Sequence, residues 1–406
     1  MGAFETKAVM QQSPSILLCN TQSAGELSGI NTYLENLRGG IEQSGWRVTL
    51  VRTRGAGLFS LCQLIKEHDL IHINSGDAVT CLLAKCLGRP VLMKFHYPLW
   101  GEAHTSVCIP RGFVRMFIAD IMWRFRQYNI FSRSGSRSLT EWGISMVGRL
   151  LCSFLSDAVA APSEYTARTL GLFRDVVILK NPGPCEIAPS ESKPDGCIRL
   201  FMASRLTVQK GADLAIEAVS IVKHRGFNVR LQIAGDGPAL ENLQLLRHNL
   251  ALEDDVLFLG ALSRDDILEY LRDCTVALAP SRWNEPAGYT WSEAATLNKA
   301  VIATRRGGIP EYVGDTGWLV DDQDAEGLAD AISEIAKNPS RAIEMGLKAK
   351  ERVSHLYSQK VLGRQFTRFV NLGLRRGWTS AVKNEENIAG SFFSINFKYT
   401  RLETRS

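Results

Sequence analysis

A chain of 406 residues exceeds what one ordinary hydrophobic core organises, so two domains of about 200 residues are expected. Its 45% hydrophobic and 22% charged content is that of a globular protein, and no run of about 18 apolar residues suggests a membrane span. The net charge of +5 lies wholly in residues 1–190, which hold 19 Lys/Arg against 14 Asp/Glu, while the remainder holds 28 of each.

The first twenty residues, MGAFETKAVMQQSPSILLCN, lack the basic start, apolar stretch and small-residue cleavage site of a secretory signal, so cytoplasmic residence is expected. Nine cysteines form an odd set without C-x-x-C spacing and fit reduced thiols better than a disulfide framework or a zinc site. Short β-rich apolar runs predict strands at SILLCN (15–20), RVTLVRT (47–53), DLIHIN (69–74), PVLMKFH (90–96), DAVAAPS (157–163) and VVILKN (176–181). Helical periodicity separates most of them, the pattern of a parallel sheet with crossover helices. Residues 111–149 interleave seven Arg with aromatic and aliphatic residues against only Asp120 and Glu141. Such a segment suits an anionic membrane surface at the inner membrane face, and it equally suits an ordinary amphipathic helical pair with a solvated basic face. No recognition motif accompanies the charge, which disfavours nucleic acid as a partner.

NPGPCEIAPSESKPDG (181–196) is rich in Pro, Ser and Gly, a linker signal. Beyond it the scheme repeats, with strands predicted at CIRLFMAS (197–204), VRLQIAG (229–235), VLFLGAL (256–262), TVALAPS (275–281), AVIATRR (300–306) and GWLVD (317–321). Helices follow over roughly 340–357 and 358–376. The expected architecture is α/β: a Rossmann-like domain over 1–190, a second over 191–375 and a C-terminal tail over 376–406, the two doubly wound sheets facing each other across a cleft. Ligands of such sheets bind beyond the carboxyl ends of the strands. The strand-to-helix loops therefore carry the candidate chemistry.

The loop after TVALAPS reads SRWNEPAG and leads into YTWSEAATLN. Gly288 removes a side chain where a ligand would approach, and the backbone N–H groups of Tyr289, Thr290 and Trp291 open a helix N-terminus, a ready phosphate cradle. Glu285 before the cradle and Glu293 one turn inside the helix would be repelled by phosphate and suit neighbouring hydroxyl groups; alone, the pair equally fits a loop residue and a helix-favouring carboxylate. SRLTVQKG (204–211) places Arg205 and Lys210 on another strand exit, where two cations would neutralise a diphosphate. AGDGP (234–238) is a tight turn, and RRGGIPEYVG (305–314) is a second glycine-rich exit, with Glu311 at a helix start. The acidic DDQD (321–324) precedes a helical run and reads as a cap rather than a metal site.

Arg205 and Lys210 in R-x-x-x-x-K-G, the AGDGP turn, Glu285 to Glu293 with Gly288 between them, and GGIPE together resemble the retaining GT-B glycosyltransferases of family 4. The resemblance spans nearly the whole chain, and SGINTYLENLRGGIEQSGWRVTLV (28–51) looks like the family's glycine loop, first helix and second strand. It implies transfer of a sugar from a UDP- or GDP-linked donor to a glycan or lipid-linked acceptor hydroxyl with retained anomeric configuration, without a cofactor or an essential metal. In that picture Arg205, Lys210 and the backbone of Tyr289–Trp291 hold the diphosphate and Glu293 the ribose. Glu285 contacts the donor sugar, Gly29 lies near the diphosphate, and His96 positions the sugar from the first domain, whereas His72 is structural. Ser28-Gly29 stands where relatives show a Gly pair, and Ala287 where Phe is common. Two other classes remain open: a silent GT-B scaffold, and a dinucleotide-dependent oxidoreductase, which the lack of G-x-G-x-x-G after the first strand disfavours.

Overall fold

Continuous apolar runs are stable as strands when a parallel sheet buries them on both faces. The computed structural model describes residues 13–20, 29–74, 76–96, 139–170, 175–181 and 196–377. The first sheet holds β1 (Ser15–Asn20), β2 (Arg47–Arg52), β3 (Leu70–Asn74), β4 (Val91–Lys94), β5 (Ala158–Ala161) and β6 (Val176–Ile178), all parallel in the order β2-β1-β3-β4-β5-β6. Side chains alternate across it with period two. Leu17, Cys19, Ile71, Ile73, Val91 and Met93 face one core, which α2 (Leu58–Lys66), α3 (Ala78–Cys86) and α4 (Leu139–Leu155) help to cover. Ile16, Leu18, Leu70 and Leu92 face the other, against α1 (Gly29–Glu42). After β5, Ser163 caps α5 (Glu164–Thr169) by accepting from the Thr166 N–H.

The second sheet contains β7 (Ile198–Ala203), β8 (Val229–Ala234), β9 (Val256–Gly260), β10 (Val276–Ala279), β11 (Ala300–Thr304) and β12 (Trp318–Val320), parallel in the order β12-β11-β10-β7-β8-β9. Its helices are α6 (Ala212–His224), α7 (Leu240–Asn249), α8 (Arg264–Asp273), α9 (Tyr289–Thr296), α10 (Ile309–Val313), α11 (Ala325–Lys337) and α12 (Pro339–Tyr357). Leu200, Met202, Leu231, Ile233, Val276 and Leu278 form one core with α6 and α11; Phe201, Ala277, Val301 and Ala303 form the other with α8, α9, α10 and α12. The chain leaves β7 toward β8 and β9, then crosses back to β10 on its other side. Between the exits of β7 and β10 lies the switch point, where doubly wound sheets open a crevice.

All twelve predicted strands are present, each within its expected run. The last helix, α13 (Gln359–Gly377), follows the second domain in sequence but packs on the first: Leu362, Phe366, Phe369 and Val370 join Ile16, Leu18, Leu34 and Leu92 in one core. Helix α13 thus straps the two domains together. Asp324 caps α11 by accepting from the Gly327 N–H. Residues 111–138 of the basic segment, 182–195 of the linker, Ser28 and the tail beyond 377 lie outside the described residues, while residues 139–149 belong to α4. The seven described cysteines are free thiols.

Candidate active site

Two strand exits at the switch point bring the predicted charges together. Lys210 ends a short 3-10 turn (Val208–Lys210) after β7, and its Nζ donates to Glu285 Oε1 at 2.5 Å on the loop after β10. Ser281 Oγ donates to the same carboxylate oxygen at 3.1 Å. The Gln209 carbonyl ties the two loops by accepting from the N–H groups of Arg282 and Trp283 at 2.8 and 3.2 Å. Arg282 also makes a two-pronged ion pair with Asp213 in the first turn of α6, at 2.6 and 2.7 Å. Gly211 is required between them. Its φ of +70° is left-handed, and a methyl group there would run into the Pro280 carbonyl.

The Lys210 and Glu285 side chains are about a third and a fifth exposed. Pairs of that exposure contribute roughly 0–1 kcal/mol, so an anion entering the crevice would draw Lys210 away from Glu285 at little cost. Arg205 is exposed on the same exit, and among the described residues no hydrogen bond or ion pair engages its guanidinium. The two cations therefore share a loop, but only Lys210 is held.

Downstream, Gly288 caps α9 without a side chain. A Cβ there would lie 2.8 Å from that of Tyr312, so backbone and aromatic ring already fill the space behind the helix start. The first-turn N–H groups of a helix lack intrahelical acceptors, and α9 has no acidic residue in its first turn to compete for them. The Trp291 side chain is buried in the core, donating to Thr316 Oγ1 at 3.1 Å, so its backbone alone can serve an anion. Glu293 is half-buried one turn further on; burial pushes its carboxyl up, and Arg264 pulls it back down. Gly307, with a φ of +57°, lets the next exit press against the Glu285 backbone, and the Gly308 N–H donates to the Glu285 carbonyl at 2.6 Å.

His96, just beyond β4, keeps its contacts within the first domain. Nε2 donates to Asn74 Oδ1, and the ring stands edge-on to Tyr33 at 5.0 Å. Burial first, then Lys94 and His72, disfavour its charged form. Lys94 is fully buried, its Nζ 3.5 Å above the Tyr33 ring and donating to Asn181 Oδ1 at 2.7 Å; burial holds its ammonium far below the usual range. His72 is enclosed by Tyr33, Phe366 and Phe369, and burial lowers it to about 3. Gly29 opens α1. Ser281, Lys94 and Tyr312 were not singled out in the sequence, because a buried Lys or a tyrosine beside a glycine carries no signal until its neighbours are known.

Comparison with known proteins bears on the fold. The Anabaena Alr3699/HepE structure in complex with UDP-glucose superposes with a TM-score of 0.65 over 88% of this chain and 99% of that one, at 18% identity. The fold is GT-B. Residues 186–352, a stretch that contains Arg205, Lys210, Glu285 and Glu293, match the family model described as Glycosyl transferases group 1. A GDP-mannose-dependent alpha-(1-6)-phosphatidylinositol monomannoside mannosyltransferase of Mycobacterium tuberculosis is 31% identical over 175 residues, 41% of this chain and 46% of the relative. The amylovoran biosynthesis glycosyltransferase AmsK of Erwinia amylovora is 28% identical over 175 residues, 41% of this chain and 43% of the relative. The chain thus spans about half the length of the curated relatives it matches. No helix among the described residues is long and apolar enough to cross a membrane.

Proposed function

We propose that the protein is a retaining, metal-independent glycosyltransferase of family 4 that moves a sugar from a UDP- or GDP-linked donor to a glycan or lipid-linked acceptor hydroxyl. One observation supports this: Lys210 meets Glu285 at the switch point of the second sheet, and Glu285 lies on the loop that leads into α9, whose first turn carries no acidic residue. The α9 backbone receives the diphosphate through its N–H groups and dipole. Lys210 turns from Glu285 to the phosphate, Arg205 joins it, and the released Glu285 accepts from donor sugar hydroxyls. Glu293 accepts from the ribose.

In the transfer, the acceptor oxygen bonds to the anomeric carbon as the carbon–oxygen bond to the diphosphate breaks. The bonding pair leaves with the phosphate, and the acceptor proton passes to a phosphate oxygen. The cations stabilise the charge that develops there, and removing one such donor costs about 3 kcal/mol, roughly a hundredfold in rate. His96, held neutral and oriented by Asn74, offers Nδ1 as an acceptor for a sugar hydroxyl and takes no part in proton transfer.

The acceptor class draws support from relatives named for amylovoran biosynthesis and for a phosphatidylinositol mannoside. The arginines of residues 111–149 suit an anionic membrane surface beside a cytoplasmic enzyme. The test is proton NMR of the full chain with a panel of UDP- and GDP-hexoses and simple hexoside acceptors. Consumption of one α-linked donor with an α-linked product, lost in Glu285→Gln, is expected. A β-linked product would sink the retaining assignment, and consumption of none would favour a silent scaffold.

A further inference from the structure

The helix α10 faces two ways. On its C-terminal-domain side, Arg352 of α12 donates to the Tyr312 and Glu311 carbonyls at 3.0 and 3.2 Å, and Tyr357 Oη donates to the Glu311 carbonyl at 3.2 Å. The Tyr312 ring stacks on Tyr357 at 4.9 Å and meets Trp291 edge-on at 6.4 Å. The helix is thus fixed to α12 and α9. On the other side, both of its polar side chains leave their own domain. The Glu311 carboxylate accepts from the Glu164 and Tyr165 N–H groups at the start of α5, at 2.8 and 2.7 Å. Tyr312 Oη donates to the Pro162 carbonyl at 2.9 Å and accepts from the Asn181 N–H at 3.2 Å. These four bonds span the exits of β5 and β6.

The same helix bears on the donor loop. Tyr312 packs behind Gly288, and Gly308, directly before α10, donates to the Glu285 carbonyl. The N-terminal domain also touches that loop itself: Thr166 Oγ1 donates to the Pro286 carbonyl at 3.4 Å, and Ser163 leaves no room for a side chain at Gly308. Asn181, which partners Tyr312, accepts from Lys94 through its side chain. A continuous set of contacts therefore runs from the core beside His96 to the backbone of Glu285 and Gly288.

We propose that Glu311 and Tyr312 form an interdomain latch that positions the Glu285–Gly288 loop, so that this loop holds its geometry only while the N-terminal domain is docked on α10. Naming that loop as the donor site rests on the function proposed above; the latch does not. Both are positioning residues, since neither is placed against substrate. Amide exchange by mass spectrometry on the full chain tests the latch, with Tyr312→Phe, which keeps the ring packing, and with Glu311→Ala and Glu311→Gln.

In Tyr312→Phe and Glu311→Ala the amides of Glu164, Tyr165, Glu285 and Gly308 are expected to exchange about fivefold or more faster, the factor for one lost hydrogen bond, while β7 and β8 are unchanged. Glu311→Gln, which retains one acceptor oxygen, falls between. Faster exchange at Glu164 and Tyr165 with Glu285 and Gly308 unmoved would overturn the proposal, as would uniform acceleration that includes the strands. UDP and GDP are titrated against the unmodified chain in parallel. If neither binds, the donor-site assignment falls while the exchange pattern still decides the latch.

Discussion

Glu293 is a carboxylate that the fold disfavours. Burial raises its carboxyl, so the native state binds its proton more tightly than the unfolded chain does; the stability this contributes is full at acid pH and is lost as pH rises through the folded value. At neutral pH the charged form is a liability in a protein without ligand. Glu293→Gln is therefore expected to raise Tm at pH 7, measured calorimetrically, and to weaken nucleoside diphosphate binding about tenfold or more through loss of a charged hydrogen bond. A lower Tm would show that Arg264 or another partner outweighs the burial. Strand periodicity places Arg205, Lys210 and Glu285 on strand exits facing one crevice, and helix periodicity places Glu293 inside the helix that follows. Their pairing was not legible, since spacing along a chain does not say that Lys210 points at Glu285 and Arg205 into solvent. The same holds for Glu311, legible as a helix-start residue but bonded to the backbone of the other domain.

At the scale of elements, the strands were readable because parallel sheets demand uninterrupted β-rich apolar runs, and their observed ends fall where exits turn into caps, as at Ser163. The docking of α13 was not readable from its own residues, because an amphipathic helix reveals which face it buries but not what lies beneath. Phe369 at the centre of that face is fully buried with Phe366 and near His72. Phe369→Ala is expected to cost about 3–5 kcal/mol by the cavity it leaves, read from urea denaturation. A loss below about 1 kcal/mol would mean that α13 contributes little to the first core.

For the molecule as a whole, the doubled Rossmann-like plan followed from length and from the strand runs repeated on either side of a linker, but the contact between the halves depends on buried polar groups that no pattern announces. Within the first domain, His72, His96 and Lys94 share a buried cluster of their own, in which burial holds His72 and His96 neutral. Between the folded value of about 3 for His72 and its unfolded value of about 6.5, the unfolded chain binds more protons, so stability falls as the solution is acidified. Up to about 1.4 kcal/mol is expected to be lost per pH unit per histidine below pH ~6.5, with His72→Gln flattening the profile in urea titrations at stepped pH. A flat profile in the unaltered chain would contradict the enclosed cluster.

The central claim is that the crevice between the β7 and β10 exits holds a sugar-nucleotide diphosphate. Calorimetric titration of the full chain with UDP, GDP, ADP and NAD tests it most directly, repeated on Lys210→Ala. One nucleoside diphosphate is expected to bind, at least about tenfold more weakly without the Lys210 charge, and NAD is not. Binding of NAD alone, of no nucleotide, or with an affinity indifferent to Lys210→Ala would contradict the site.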